Sequence, residues 1–502
     1  MSEPSRVTER EVKLGLDDAF SLDRIDDLVV RSTDDRSLDA TYFDTADLRL
    51  LSLGHTLRHR SGEGPIGTWT LKLAGVAGEV AGRDEISLDG PNGVPPRFLL
   101  DLAAAVVGDE PVVEVAHVLT ERRRHLALYA DTDVEVAIDT VTGTSSDTPL
   151  SPVAFRQLEI ELVEGDERML ARLAASACRA GAVPASQEPK VATVLGGRRV
   201  RAAHLAAIPL RGRSTLDELV RGAVVAALRQ LLTHDPHLRL DAPDDSVHKA
   251  RVATRRLRSD LQTLHPVLDP DAVKHIDGEL RWLAAQIGAV RDIDVLVEHV
   301  TAWTCSLGDD ASAAVAPTLL ARLRNERREA VLTMRNALVS RRYRGMVAEL
   351  RLWTAAPPWR DHVHRLRRAR PDALDMVAHA DSRVLHAVHR LGDPPATPDL
   401  HEVRKRAKRC RYAAELVSPL VDGDLADLAA EMAALQEVLG GLQDAEVAQR
   451  WLRGLPLWCL DETQAFAVGE LVQIAGLAAV DARQRWPEQW ARTKRKRLRP
   501  WE

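Results

Sequence analysis

In the stretch TEREVKLGL, Glu9, Glu11 and Lys13 stand two residues apart, and so do Val12, Leu14 and Leu16. A period of two is that of a β-strand, so the acids and the lysine share one face and the apolar side chains the other. The same selection recurs along the first third of the chain. Arg58 and Arg60 share a face, as do Thr70 and Lys72, Arg83 and Glu85, Arg122 and Arg124, and Glu159 and Glu161; Glu135 and Asp139 flank Ala137. One such face is ordinarily solvated. Together they sort acids onto some strands and bases onto others. Carboxylates two residues apart on a strand are separated by roughly 7 Å. Their repulsion there is about 2 kcal/mol at an effective dielectric near 20, and well below about 1 kcal/mol in water. A solvated surface would mix the signs. Segregation makes sense if the bases hold an anion and the acids a cation between them. Carboxylates without His or Cys partners suit a hard ion, Mg²⁺ or Mn²⁺. Inward Lys and Arg suit a polyanion such as a triphosphate.

These residues must be positioned by strands. From residue 7 to about 163 short alternating segments recur (EREVKLGL, LDATYFDT, HTLRHRSG, TWTLKLAG, GRDEISLDG, ERRRHLALYA, VEVAIDTVTG, RQLEIELVEG), separated by Gly, Pro, Asp and Ser clusters. About eight antiparallel strands predict a barrel or sandwich. PPRFLLDLAAAVVG and ERMLARLAASACRAG read as helices. After a linker at 201–214 the strand signal stops, and from 215 to 502 Ala/Leu/Arg-rich helical segments follow, broken at HPVLDPD, AAPPWRD and GDPPATPD.

The second half repeats itself. VHKARVATRRLRSDL (247–261) aligns with LHEVRKRAKRCRYAAEL (400–416) at an offset of 153, and LAAQIGAVRDIDVL (283–296) with LQEVLGGLQDAEVA (435–448) at 152, placing Gly288 on Gly440 and Asp292 on Asp444. Two blocks in one order at nearly one offset indicate an internal duplication, about 215–345 and 346–490, which predicts two similar helical bundles. On a helix His248, Arg251, Arg255 and Arg258 fall within an arc of about 80°. His401, Arg404, Lys408 and Arg411 do the same in the second copy. A basic face is commonly just solvated. But Arg at i, i+3 and i+7 with few acids beside it repels itself, and a stripe kept in both copies points to a polyanion. The two histidines can donate to phosphate or cap a helix start. Tyr412 is the only aromatic residue in either basic motif, so phosphate chains fit better than nucleic acid.

The strand motifs resemble the CYTH family, the triphosphate tunnel metalloenzymes. Glu9-x-Glu11-x-Lys13 looks like the family's ExExK signature. Tyr42-Phe43-Asp44-Thr45, Leu57-Arg58-His59-Arg60, Thr70-Leu71-Lys72, Arg83-x-Glu85, Arg122-x-Arg124, Glu135 to Asp139 and Glu159-x-Glu161 follow in family order. Lys190 stands where the family often has a late Ser-Lys, although Pro189 precedes it here. The resemblance implies an eight-stranded antiparallel tunnel, with charges inside and apolar faces turned out toward covering helices, over residues 1–200. It implies action on a triphosphate with a divalent metal: hydrolysis of inorganic or thiamine triphosphate, or cyclisation of ATP. Carried over by position, Glu11, Glu159 and Glu161 hold the metal, and Glu9 and Asp139 a second metal or the attacking water. Lys13, Arg58, Arg60, Lys72, Arg122, Arg124 and Lys190 bind phosphate, with Arg83 shared between phosphate and Glu85. Glu9, Glu11 and Lys13 form the catalytic set.

The helical blocks resemble the CHAD domain, over about 215–485. That resemblance implies two four-helix bundles in pseudo-symmetry and binding of inorganic polyphosphate on the two stripes. Asp292 and Asp444 then orient nearby Arg side chains. Lys249 and Arg256 lie off the stripe, and Arg342 and Arg344 are weaker candidates. The expected function is a metal-dependent triphosphatase joined to a polyphosphate-binding module. The alternatives are a catalytically silent polyphosphate-binding protein and a nucleotidyl cyclase similar to class IV adenylate cyclases.

Bulk properties agree with this. The net charge is −6, so the chain as a whole is no generic nucleic-acid binder. Cys178, Cys305, Cys410 and Cys459 form no CxxC pair, which excludes a disulfide scaffold and fits a reducing compartment. The N-terminus has no apolar core of a signal peptide, and no unbroken apolar run spans a membrane. A cytoplasmic protein, associated with polyphosphate granules, is expected.

Overall fold

The computed structural model describes residues 4–501 apart from 17–19, 63–65, 76–82, 131, 163–166, 202–204, 241, 422–423, 457, 459, 496–498 and 500. Cys459 thus lies outside the described residues; Cys178, Cys305 and Cys410 are free thiols. The chain forms two compact units, Met1–Ala206 and Ala207–Glu502.

The first unit is built on β1 (Ser5–Glu9), β2 (Glu11–Gly15), β3 (Leu28–Thr45), β4 (Thr56–Ser61), β5 (Thr68–Lys72), β6 (Arg83–Asp89), β7 (Val112–Tyr129), β8 (Thr132–Ser145), β9 (Thr148–Leu162) and β10 (Val183–Pro184). They make one sheet in the order β1-β6-β5-β4-β3-β7-β8-β9-β2-β10, and its pairings are antiparallel. The sheet therefore has ten strands, where the sequence predicts eight. Two causes account for the difference. The N-terminal strand is interrupted at Arg10, and the two-residue β10 adds to β2. The interruption matters for closure. β1 pairs with β6 and β2 with β9, so the continuous segment 5–15 joins both sides of the ladder. The Arg10 carbonyl still accepts from the Leu162 backbone N–H at 3.2 Å.

The apolar faces turn outward and are covered. Leu14, Leu158 and Ile160 are buried in one cluster with Leu170, Leu173 and Ala177 of α3 (Glu167–Arg179), and Val12 and Leu16 pack against it. Val118 and Val141 meet Val191, Val194 and Leu195 of α4 (Lys190–Arg201). Gly143 is required for that contact, since a Cβ there would lie 2.4 Å from Val194 Cγ2. The short α1 (Arg49–Ser52) and α2 (Arg97–Val107), the latter read from PPRFLLDLAAAVVG, complete the unit.

The second unit is helical: α5 (Leu216–Arg239), α6 (Asp244–Leu264), α7 (Pro270–Thr304), α8 (Asp309–Val339), α9 (Arg341–Ala355), α10 (Arg370–His389), α11 (Thr397–Val417), α12 (Asp424–Arg453) and α13 (Glu462–Thr493). Thr215 and Glu218 form a capping box that starts α5, and Asp269 caps α7 ahead of Pro270. The three breaks marked by proline fall between α6 and α7, α9 and α10, and α10 and α11. Consecutive helices pack from α5 to α8 and again from α10 to α13, and α6 packs on α11. The absence of a membrane-length apolar segment does not hold for α13. An 18-residue window in it has mean hydropathy 1.5, long and apolar enough by length and composition to cross a membrane, and 28% of it is buried. Gly469, Glu470 and Gln473 interrupt the apolar residues, so a search for an unbroken run passes over it. Its Ala467, Val468 and Leu471 pack with Val300, Leu319 and Leu452.

Gly143→Ala should destabilise the protein by about 1–3 kcal/mol, because the added methyl overpacks Val194. Adding Val194→Ala should restore at least half of that loss. Urea denaturation of the three variants checks both outcomes.

Candidate functional site

The charged faces are in phase around the sheet. Across neighbouring strands Glu9 faces Arg83, Glu85 faces Lys72, Lys72 faces Thr56, and Arg58 faces both Thr70 and Tyr42. On the other side Arg122 faces Asp139, Glu135 faces Glu161, Glu159 faces Lys13, and Glu161 faces Glu11. A one-residue slip in any pair would carry a charge to the apolar side. The result is a cavity of about 60 Å³ lined by Glu9, Glu11, Lys13, Arg58, Arg60, Lys72, Arg83, Arg122, Glu159, Glu161 and Lys190, with Tyr42 and Thr56.

Within it acids and bases pair. Lys72 Nζ contacts Glu9, lies 2.8 Å from Glu85 and 3.6 Å from Glu11. Lys13 Nζ is 2.9 Å from Glu11, and Arg58 is 3.7 Å from Glu85. Arg122 donates from Nε and Nη2 to Asp139 at 2.8 Å each and also contacts Glu159. Lys190, the first residue of α4, reaches Asp139 and Glu159 at 2.8 Å, so it enters the tunnel despite the preceding proline. Two residues depart from the sequence reading. Arg83 donates to the Gln187 carbonyl at 2.6 Å, leaving Glu85 to Lys72 and Arg58. Arg124 pairs with Glu135 at 2.6 Å and does not line the cavity.

Two carboxyls are raised and three lowered, and the cause is local. Burial pushes Glu161 up to about 7, helped by Glu9, Glu135 and Glu11. Burial also pushes Glu9 up to about 7, against the pull of Lys72 and with repulsion from Glu85 and Glu11. For Glu85 burial is outweighed by Lys72 and Arg58, which hold it at about 2. Glu11 is lowered because Lys13 and Lys72 outweigh burial, and Glu159 is held well below the usual range by Lys190 and Arg122. Burial raises the Tyr42 phenol, but Arg58, which donates to it, outweighs that and lowers it. Tyr42 stands in a strand motif without a role assigned to it, and Gln187 stands outside the motifs. Tyr42 was legible in principle, since it lies in the phase of Arg58; Gln187, whose side chain accepts from the Lys13 N–H and donates to the Lys13 carbonyl, was not.

Among the described residues no three acids or histidines converge as a preformed metal site. The donor set still fits a hard cation. Glu11, Glu161 and Glu135 form a row across β2, β9 and β8, and the charges of Glu11 and Glu135 help raise Glu161. Asp139 and Glu159 are engaged by Arg122 and Lys190. Among the described residues Arg58 Nε and Arg83 Nη1 are buried donors without acceptors, which suits an anion.

In the helical unit the stripe divides. Arg251 is 2.7 Å from Asp292 and its guanidinium lies over Gly288; Arg404 lies over Gly440, where a Cβ would be 3.1 Å from Nη2. The two glycines matched in the repeats thus make room for two arginines. Burial lowers Arg404, which feels Asp444 and Arg251, and among the described residues its Nε has no acceptor. Arg255 is lowered by burial and then by Arg251 and Arg404, so these three cations crowd where α6 meets α11. His248 is exposed and His401 half-buried; burial lowers both, and nearby cations lower them further. Lys408 is half-buried on the same α11 stripe. Arg258 and Arg411 are instead drawn to Asp277 at 2.9 Å and Glu415 at 2.7 Å. Off the stripe, Lys249 pairs with Asp245, Arg256 with Glu415 and Arg342 with Glu279.

Glu9 and Glu161 keep their protons to about pH 7 when folded and titrate near 4.5 when unfolded. Folding therefore takes up protons between those values, and the stability these groups contribute is lost as pH rises through 7. Glu161→Gln should raise the melting temperature at pH 8 more than at pH 5. A rise equal at both pH values would contradict the assignment.

The CYTH domain family matches residues 8–188 and the CHAD domain family residues 222–453. An uncharacterized protein of Mycobacterium tuberculosis is 31% identical over 444 residues, covering 84% of this chain and 83% of that protein. Among solved structures, PptA from Streptomyces chartreusis is 20% identical, with a TM-score of 0.47, covering 55% of this chain and 100% of that one. The CHAD domain from the plant Ricinus communis is 24% identical, with a TM-score of 0.46, covering 59% and 96%. With both domain families matched in order, and the mycobacterial relative alike along most of its length, the chain belongs to the family of proteins that join a CYTH domain to a CHAD domain.

Proposed function

We propose that the N-terminal unit hydrolyses inorganic triphosphate, or a related triphosphate, with Mg²⁺ or Mn²⁺, and that the helical unit binds inorganic polyphosphate. One observation carries the first part. Carboxylates and cationic side chains share one inner wall, in phase across nine pairings, and are buried against each other.

Lys13, Arg58, Arg60, Lys72, Arg83, Arg122 and Lys190 line the cavity and would take phosphate oxygens. Each phosphate oxygen replaces a carboxylate on its base. Glu9, Glu11 and Glu161, with Glu159 adjoining, would then hold the metal. When bound, the metal neutralises phosphate oxygens as charge develops on the transferring group. Asp139 keeps Arg122 and Lys190 aimed. Glu9 would either join the metal ligands or, in place of that, orient the attacking water. Fixed cations supply most of the remaining stabilisation, since phosphoryl transfer asks for positioning and charge more than for a covalent nucleophile. Anion and cation binding are coupled on this reading, because each frees the other's ligands.

In the helical unit Arg251, Arg255 and Arg404, with Lys408, His248 and His401, would hold the polyphosphate chain, on two four-helix bundles related by the duplication. Arg258 and Arg411 contribute less, being paired. The crowding of Arg251, Arg255 and Arg404 favours this reading, since a polyanion relieves it and releases counterions.

The test is phosphate release from tripolyphosphate, ATP and thiamine triphosphate with Mg²⁺ or Mn²⁺. Lys72→Ala and Glu11→Gln should each lower kcat/KM by about 10²–10³-fold. No release from any of the three substrates with metal present would overturn the enzyme reading. For polyphosphate, Arg251→Ala with Arg404→Ala should flatten the slope of log K against log salt by about 1–2. An unchanged slope and affinity would remove this face as the site.

A further inference from the structure

A second cationic cavity lies on a different part of the helical unit. It has a volume of about 720 Å³ and is lined from the end of α6, the 362–367 segment, α10 and α11. On α11 its residues are Arg406 and Arg409. At 100° per residue these point to the opposite side of the helix from Arg404 and Lys408. On α10 the lining residues Asp372, Met376, His379 and Arg383 recur at helical spacing, so one whole face of that helix opens onto it.

Four arginines, Arg367, Arg383, Arg406 and Arg409, line it against two aspartates, Asp372 and Asp375. Arg367 is neutralised by Asp372 at 2.7 Å, and Arg406 by Glu402 at 2.6 Å. Among the described residues neither Arg383 nor Arg409 has a carboxylate at ion-pair distance. Both stand near Arg406, and burial together with the charges of Arg406 and Arg383 lowers Arg409. Arg383 and Arg406 also line an adjoining cavity that holds Arg390 and His386. Such crowding is unfavourable unless an anion relieves it. Val267, Val363 and Met376 add an apolar patch among polar lining residues such as Gln262, His362 and His379. A bare phosphate chain has no use for that surface.

The internal duplication separates this cavity from the stripes. By the offset of 153, Arg406 corresponds to Ala253, which is buried, and Arg409 to Arg256, which Glu415 holds at 3.1 Å. The stripes occur in both copies; Arg406 has no cationic counterpart in the first copy, and the counterpart of Arg409 is held by a carboxylate. A cavity of this size suits a nucleotide-sized ligand.

We propose that this cavity binds a small organic phosphate of nucleotide size, with its phosphate on Arg383, Arg406 and Arg409 and its ring or apolar portion on Val267, Val363 and Met376. This site is separate from the tunnel residues and from the stripes, and it goes beyond the function proposed above.

The test is a fluorescence titration of the full chain, in EDTA, with AMP carrying an N-methylanthraniloyl group. Its single phosphate gives the tunnel little to hold. Binding should saturate, and Arg383→Ala with Arg409→Ala should weaken it by at least about tenfold. Arg383→Lys with Arg409→Lys, which keeps the charge and guards against misfolding, should weaken it less than the double alanine variant does. Lys72→Ala, and Arg251→Ala with Arg404→Ala, should change it by less than about twofold, since none of these residues lines the cavity. Unlabelled AMP should displace the probe where inorganic phosphate at the same concentration does not. No saturable binding, binding untouched by the double alanine variant, or displacement by inorganic phosphate as readily as by AMP would each overturn the proposal.

Discussion

The first unit depends on one constraint: the register of the sheet brings the charged side chains that line the cavity onto one inner wall. Opposite charges there compensate one another, as between Lys72 and its three glutamates or Arg122 and Lys190 with Asp139 and Glu159. Burying any of them alone would be strongly unfavourable. The outward apolar faces then supply the packing against α3 and α4, and Arg10, where the N-terminal strand breaks, lets one segment close the ladder from both sides. Compensation is uneven. Glu9 and Glu161 sit among other acids and hold protons to about pH 7, while Glu85, Glu11 and Glu159 are held down by bases. That imbalance is where a cation would gain most.

The helical unit uses like charge differently. Arg251 and Arg404 lie over glycines of the facing helices, and with Arg255 they form a cluster where α6 and α11 meet. Asp292 orients Arg251, as read from the paired blocks. The stripe is less uniform than its spacing implies, because Asp277 and Glu415 draw Arg258 and Arg411 away.

Much of this was legible in the chain. Alternation placed Glu9, Glu11, Lys13, Glu159 and Glu161 on one face and Leu14, Leu158 and Ile160 on the other, because period alone decides face. Partners were less legible. That Arg83 goes to Gln187 and Arg124 to Glu135 depends on side-chain reach across strands. The Arg411–Glu415 pair could have been found from its i, i+4 spacing; Arg258–Asp277 joins two helices and could not. The outer part of β3, around Asp34 and Asp35, has no alternation and is ordered by pairing with β7. The strand count differed because a break at one residue and a two-residue strand leave no signal in hydrophobic pattern.

The central claim is that the tunnel's internal ion pairs give way together to a metal and a triphosphate. A crystal structure with Mn²⁺ and tripolyphosphate, with the metal located by anomalous scattering, tests it most directly. The account predicts Mn²⁺ among Glu9, Glu11 and Glu161, and phosphate oxygens on Lys72, Arg58 and Lys190 in place of their carboxylates. Mn²⁺ or tripolyphosphate bound outside the tunnel, with the internal ion pairs intact, would contradict it.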